Sequence, residues 1–416
     1  MSGFLNDHER PGAVHRRILF VSWFGWWSVF TSLMLFLYLA TFYRKELGMD
    51  DQAVARVKSL ALGFSGLGGL VFGVIGDRVG RKPAMIASLI VCSTGLLLGA
   101  AAPNPLVLMI AASMAGFGIG GQWASGQTLV GETVPAARRQ RFGTISQSGA
   151  PLGLGIATIL AFHVAGELGV GWRVVLGAAA AQLLLVPFIA FGVPESDLWR
   201  ARRDRVRRGE AVDEARLREL FSPEVGRTFV IVFFLTLFAM ANYWFTVSWL
   251  PEFMSRSMNL SIAKTGKWTL AFVSGSLAGY YLFTMTADRL GRRPAFTIFA
   301  LLMALGTAML TVFEGAVRNH PNLVLLFAVT AGIGTGIWST FGPLYTELFP
   351  TRLRTTAGGI CMNVSRGIQF VAPSIVLLVG GEKLSAGVAL AGVFALLEGA
   401  WIWLLPETGG KRLDSD

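Results

Sequence analysis

The sequence predicts an all-α membrane protein in which twelve transmembrane helices form two pseudo-symmetric six-helix bundles. Three observations carry that prediction. The 416 residues are 53% hydrophobic and only 15% charged, with a mean hydropathy of +0.57, too apolar for a water-soluble chain of this length. A hydrocarbon core of roughly 30 Å takes about 20 apolar residues of helix, and the chain offers about twelve such runs, long and continuous rather than short and alternating as a barrel requires. A charged turn, Gly73-Val-Ile-Gly-Asp77-Arg78-Val-Gly80-Arg81-Lys82, recurs in the second half as Ala287-Asp288-Arg289-Leu-Gly291-Arg292-Arg293.

Residues 1–17 read as a polar tail leading into an uncleaved first helix, because no small-residue cleavage site follows the first span. The first bundle, 18–193, holds runs near 18–42, 54–76, 84–102, 106–134, 141–166 and 172–193. The stretch 194–227, with nine Arg between 200 and 227 interleaved with Glu210, Asp213, Glu214 and Glu219, reads as a linker carrying a short amphipathic surface helix. The second bundle, 228–405, holds runs near 228–252, 262–286, 295–313, 322–348, 356–380 and 385–405, and 406–416 forms a second tail. Further repeats support the two halves: Gly116-Phe-Gly118-Ile-Gly120 matches Gly332-Ile-Gly334-Thr-Gly336, Glu132-Thr-Val-Pro135 matches Glu347-Leu-Phe-Pro350, and Pro194-Glu195-Ser196 matches Pro406-Glu407-Thr408.

The net charge of +11 is a topology signal and not a nucleic-acid footprint. Numbering the loops alternately places 25 of the 36 Lys and Arg residues on one side, the side of both termini, and basic loops face the cytoplasm. Both termini are therefore expected inside, in a bacterial inner membrane. Two cysteines, Cys92 and Cys361, preclude a disulfide framework, and neither zinc-ligand spacing nor a nucleotide-binding loop is present, so no metal, cofactor or enzymatic activity is expected.

These paired turns resemble the major facilitator superfamily, across residues 18 to 412. The stretch from Gly116 to Gly153, with Gly120-Gly121-Gln122-Trp123 and Glu132-x-x-Pro135, is similar to its bacterial metabolite:proton symporter and sugar-porter-like branch, which includes aromatic-acid and sialic-acid carriers. Trp249-Leu-Pro251 and Pro406-Glu407-Thr408 resemble the same branch. The resemblance implies a cytoplasmic gate in which Asp77 meets the start of helix 11. On the residues themselves, Gly73 and Gly76 offer a bare face for close helix approach, and Arg81 and Arg139 are placed to pair with Glu132. The gating set is Gly73, Asp77, Arg78, Gly80, Arg81, Glu132 and Arg139, with Asp288, Arg289, Arg292, Glu347 and Arg354 in the second copy. Thr284 replaces the leading glycine there.

Counting about 1.5 Å per residue puts Trp27, Gln122, Trp123, Gln147, Asn242, Trp338, Asn363, Arg366 and Gln369 near mid-membrane as the candidate substrate lining. Arg366 is the sharpest of these, since an unpaired charge at that depth costs roughly 3 kcal/mol or more. Its partner is either a substrate carboxylate or Glu398, buried at similar depth in helix 12. The acidic residue that the branch carries in helix 1 is absent from Trp23-Phe-Gly-Trp26-Trp27-Ser28, and Gln122 stands where many relatives have Glu. Glu398, Glu132 and His163 remain as coupling candidates.

The expectation is a monomeric secondary transporter that moves a small organic anion, a mono- or aromatic carboxylate, by alternating access, with protons as a possible second partner and the bilayer as its only other one. Alternatives are a sugar, polyol or amphipathic-compound carrier of the same fold, or a non-transporting membrane sensor.

Overall fold

The structure, a computed structural model, describes residues 12–134, 136–208, 217–256, 261–315, 320–349, 354–381 and 383–408. Arg10, the tail residues 409–416 and the linker acids Glu210, Asp213 and Glu214 lie outside the described residues. So do the side chains of Asp77, Arg139 and Arg354, three members of the expected gate.

Twelve helices among the described residues are long and apolar enough to cross a membrane. They are α1 (Ala13–Tyr38), α2 (Asp51–Gly76), α3 (Arg81–Ala100), α4 (Pro105–Thr133), α5 (Phe142–Glu167), α6 (Trp172–Gly192), α7 (Gly226–Ser255), α8 (Ala263–Leu290), α9 (Arg292–Thr311), α10 (Asn322–Ser339), α11 (Ala357–Gly380) and α12 (Leu384–Leu404). Their starts carry local signals. Asp50 accepts a hydrogen bond from the Ala53 N–H at 2.7 Å, and Asn104 accepts from Val107 at 3.0 Å with Pro105 in the first turn. In the linker, a helix over Asp197–Arg207 buries Trp199 beneath the Arg203 guanidinium, 4.9 Å from the ring centroid. This helix lies in the stretch where a short amphipathic segment was expected.

Several helices are less regular than their continuous apolar runs predict. The backbone of α5 passes from α-helix through a break at Ser148 into a π-helical stretch, Ile159–Glu167. That of α7 breaks between Val247 and Leu250, just ahead of Pro251, which has no N–H to continue the ladder. Tight 3₁₀ turns interrupt α10 at Thr335–Ser339 and α11 at Gln369–Val371. Hydropathy is blind to these interruptions because they leave side-chain polarity unchanged.

The repeated Gly-x-Gly-x-Gly segments explain how each bundle closes. A Cβ on Gly116 or Gly120 would collide with the backbone of α2, at the Ala61 and Ser65 carbonyls, whereas one on Gly118 would run into Ser88 and Cys92 of α3. Two residues advance a helix by about 200°, so alternate glycines face opposite neighbours. The second half repeats the device: Gly332 and Gly336 meet Phe272 and Gly279 of α8, and Gly334 meets Met303 of α9. Between bundles, α2 and α11 touch backbone to backbone at Gly66 and Gly367, with Gly69 against Asn363 and Gly63 against Phe370. On the other side of the molecule, α5 meets α8 at Gly155 against Val273 and at Phe162 against Gly266. The close approach expected at Gly73 is not found there. A Cβ on Gly73 would meet nothing within 4 Å, and Gly69 and Gly66, one and two turns earlier, make the contact instead.

Candidate translocation path and its gate

At the end of the bundle that carries the charged turns, the two copies are built alike. Gly80, at φ +132°, turns the chain from α2 into α3, and Gly291, at φ +91°, does the same from α8 into α9. Only glycine adopts such angles without strain. The first N–H groups of α3 then point at a carboxylate: Arg81 N–H and Lys82 N–H donate to Glu195 Oε1 and Oε2, each at 3.1 Å. In the second copy, Arg292 N–H and Arg293 N–H donate to Glu407 at 2.9 and 3.1 Å. An anion at a helix N-terminus satisfies orphan donors and the helix dipole together. Glu195 and Glu407 were visible in the sequence only as a repeated Pro-Glu-Ser/Thr. Because that repeat keeps nearly the spacing of Asp77 and Asp288, it was the signal that each glutamate belongs to its own bundle's turn.

Arg81 completes the cluster. Its guanidinium pairs with Glu132 at 2.9 and 3.3 Å and donates to the Gly76 carbonyl at 2.5 Å. Arg292 repeats the pairing with Glu347 at 2.5 Å and reaches Thr340 Oγ1 at 3.3 Å. Arg78, Asp288 and Arg289 are exposed. Glu132 is therefore engaged in this cluster, away from Arg366. Replacing Glu195 by Gln should lower the protein's Tm, the change corresponding to about 0.5–2 kcal/mol for a weakened cap, and Glu407→Gln should do likewise. Unchanged melting of both variants in detergent would remove the capping role.

Midway along α11, Arg366 is 5% exposed and makes no salt bridge among the described residues; its Nη1 has no hydrogen-bond partner there. Its guanidinium lies over two indoles, 5.6 Å from the Trp26 centroid and 5.9 Å from that of Trp123. Trp26 and Trp123 come from α1 and α4, so the first bundle supplies aromatic faces to a cation carried by the second. Trp123 Nε1 donates to Gln147 Oε1 at 2.9 Å, and Gln127 Nε2 donates to the same oxygen at 3.2 Å, which fixes the ring's orientation. From Trp26 an aromatic chain crosses between bundles: Phe30 at 5.5 Å, then Trp244 at 6.3 Å, Tyr243 at 5.4 Å and Trp338 at 5.8 Å. Arg366, Trp123, Gln147 and Trp338 are thus linked, directly or through this chain.

Other expected lining residues lie elsewhere. Trp27 stacks on Phe24 at 4.6 Å, and Phe24 on Phe20, whose ring meets Phe188 of α6 on an exposed face. One residue is about 100° of helix, and that rotation gives Trp26 the place expected of Trp27. Gln122 is fully buried inside the first bundle, accepting from Ser88 Oγ at 2.9 Å and pressed against Gly25. Asn363 packs on Gly69 at the contact between α2 and α11, with its Oδ1 unpartnered, and Gln369 Nε2 donates to the Ser365 carbonyl of its own helix. Asn242 Nδ2 donates to Glu398 Oε1 at 2.8 Å. Glu398, 0% exposed with Oε2 unpartnered, is therefore held by Asn242 and not by Arg366, so of the two partners considered for Arg366 the ion pair with Glu398 is not found. His163 is an exposed residue of the π-helical stretch, 2.7 Å from Glu167, far from a buried relay.

Residues 18–373 and 232–414 match the profile described as Major Facilitator Superfamily. The chain is 28% identical over 98% of its length, and 94% of the relative's, to a probable 4-methylmuconolactone transporter of Cupriavidus pinatubonensis. It is 27% identical to the gentisate transporter of Corynebacterium glutamicum over 85% of this chain and 79% of that one. Its fold is similar to that of the xylose transporter XylE from E. coli in a partially occluded inward-open conformation, with a TM-score of 0.78 over 97% of this chain and all of that one at 18% identity.

Proposed function

This chain belongs to the major facilitator superfamily and is a multi-pass membrane transporter of a small molecule, and from that premise we propose that its cargo is an organic carboxylate that binds at Arg366. The carrying observation is a guanidinium that is buried, lacks an acidic partner among the described residues and sits between the Trp26 and Trp123 rings. A desolvated cation of this kind needs an anion, and a planar carboxylate matches the donor fork. The flanking indoles add apolar walls for a ring or an unsaturated chain. Relatives named for gentisate and a muconolactone support the same class. The chain's two bundles supply both sides of the path, so a monomer suffices. The excess of basic loops supports an arrangement with the Arg81 end cytoplasmic in a bacterial inner membrane.

A thermal-shift titration of the purified protein with gentisate, muconate and benzoate against xylose as the uncharged control tests this reading. Stabilisation by at least one carboxylate and none by xylose is expected. Stabilisation by xylose alone would overturn it.

For coupling, Glu398 is the carboxyl best suited to carry a proton, because one oxygen is held by Asn242, the residue next to Tyr243, and the other has no partner. Glu398→Gln should keep carboxylate counterflow near the parent rate while lowering pH-gradient-driven accumulation about tenfold or more, to the level of equilibration. Full accumulation by this variant would exclude Glu398 from coupling.

A further inference from the structure

Lys58 is the most deeply buried lysine among the described residues, at 1% exposure on α2, and it belongs neither to the Arg366 surroundings nor to the Arg81 and Arg292 clusters. It lies two turns into α2 from Asp51, at the end of the molecule opposite the charged turns. Its ammonium is held on three sides by α7 of the other bundle. Nζ donates to Glu252 Oε2 at 2.7 Å and to the Ser248 carbonyl at 3.1 Å, and it sits 3.6 Å from the centroid of the Trp249 ring. The break in α7 ahead of Pro251 makes this possible. It releases the chain between Val247 and Leu250 from regular helix and turns the Ser248 carbonyl, the Trp249 face and the Glu252 carboxylate toward one point.

The surroundings are dry: Tyr43, Trp249 and Phe253 are all fully buried. A few turns away, Phe162 of α5 rests on Gly266 of α8, and Tyr38 packs on Phe162 at 5.7 Å. This end is therefore closed across both bundle seams. The Arg81–Glu132 and Arg292–Glu347 pairs, by contrast, each stay inside one bundle, so separating the bundles leaves them intact. Lys58–Glu252 must break whenever α2 and α7 part.

We infer that Lys58, with Ser248, Trp249 and Glu252, is a charge-locked latch that holds closed the end of the path opposite the Arg81 motif. The inference rests on the alternating-access reading but not on the identity of the cargo. The physical argument is the asymmetry of a buried pair. Together the two charges satisfy each other in the closed state and are separately hydrated in the open one. With the Glu252 charge removed, the Lys58 ammonium stays buried without its carboxylate only while the end is closed, so the imbalance falls on that state alone. Stranding Lys58 should therefore open this end, and removing both charges should let it close again.

The test uses the full-length protein in cells and in inverted vesicles, with Cys92→Ala, Cys361→Ala and a reporter, Val273→Cys, which lies behind the latch at the seam with Gly155. A membrane-impermeant maleimide is added to each face in turn, without substrate. Glu252→Gln should speed labelling from the Lys58 face at least about tenfold, the shift that corresponds to about 1.4 kcal/mol between states. Lys58→Met with Glu252→Gln should return the rate toward the parent value, so that the two changes are non-additive. Unaltered labelling in Glu252→Gln, in protein that still elutes as a single folded species, would overturn the latch. So would a double variant that labels faster than Glu252→Gln. Because no ligand is present, a failed carboxylate screen leaves this result standing, and a failed latch leaves the role of Arg366 untouched.

Discussion

Arg366→Ala will abolish saturable carboxylate uptake, and Arg366→Lys will lower apparent affinity by about 10–100-fold while protein abundance holds. That range follows from the loss of about 1.5–3 kcal/mol when a charge-assisted hydrogen bond is removed or misdirected. Lysine keeps the charge but presents a compact, strongly hydrated ammonium, which neither forks onto a carboxylate nor lies flat against Trp26 and Trp123 at 5.6 and 5.9 Å. The variants are well behaved for this purpose because Arg366 has no ion-pair partner among the described residues, so its removal strands no opposite charge there. Radiolabelled uptake in cells, normalised to membrane protein, is the measurement. Parent-like uptake by Arg366→Ala would place the cargo's charge, or the cargo itself, elsewhere.

The second large effect concerns glycines that do similar work in different places. Gly120→Val should prevent folding, since a side chain there collides with the Ser65 carbonyl and the Gly69 N–H across the α2–α4 seam inside one bundle. Gly66→Val collides instead with Gly367, across the seam between bundles. Overpacking typically costs about 1–3 kcal/mol, and within a bundle nothing can relieve it, because α3 closes the far side of α4 at Gly118. Between bundles the two halves can tilt. The expected result is a folded Gly66→Val protein with uptake reduced at least about tenfold, beside a Gly120→Val protein absent from the membrane fraction. Detergent gel filtration and uptake separate the two outcomes, and normal transport by Gly66→Val would show that the α2–α11 contact is dispensable.

Much of this molecule is legible in its residues. Twelve spans follow from length and hydropathy, because lipid forces every backbone donor into a helix. The two-fold repeat follows from Asp77 and Asp288, from the paired glycine segments, and from the paired glutamates at 132 and 347. Arg366 could be singled out from cost alone, since a charge at that depth demands a reason. Pairings are another matter. A one-residue shift rotates a helix face by about 100°, which put Trp26 rather than Trp27 over Arg366 and buried Gln122 against Ser88 and Gly25, while the tight helix contact kept the face of Gly73 but moved one and two turns along it, to Gly69 and Gly66.

Three-dimensional proximity decided the rest. Glu398 and Arg366 sit at comparable depth along the chain's helices, yet Asn242 holds Glu398 while two indoles flank the arginine. Glu195 lies 114 residues from Arg81 and still caps its helix. Lys58 and Glu252 are 194 residues apart in opposite halves, and neither stands out in a span that hydropathy accepts. By itself the sequence determined the class, the number of helices and the repeat, and it singled out Arg366 as a charge at a costly depth. These depend on each residue's transfer cost between water and lipid, a property of the residue alone. Which helix faces meet and which carboxylate each cation finds depend on rotations and seams between helices far apart in the chain, and only the tertiary structure decided them.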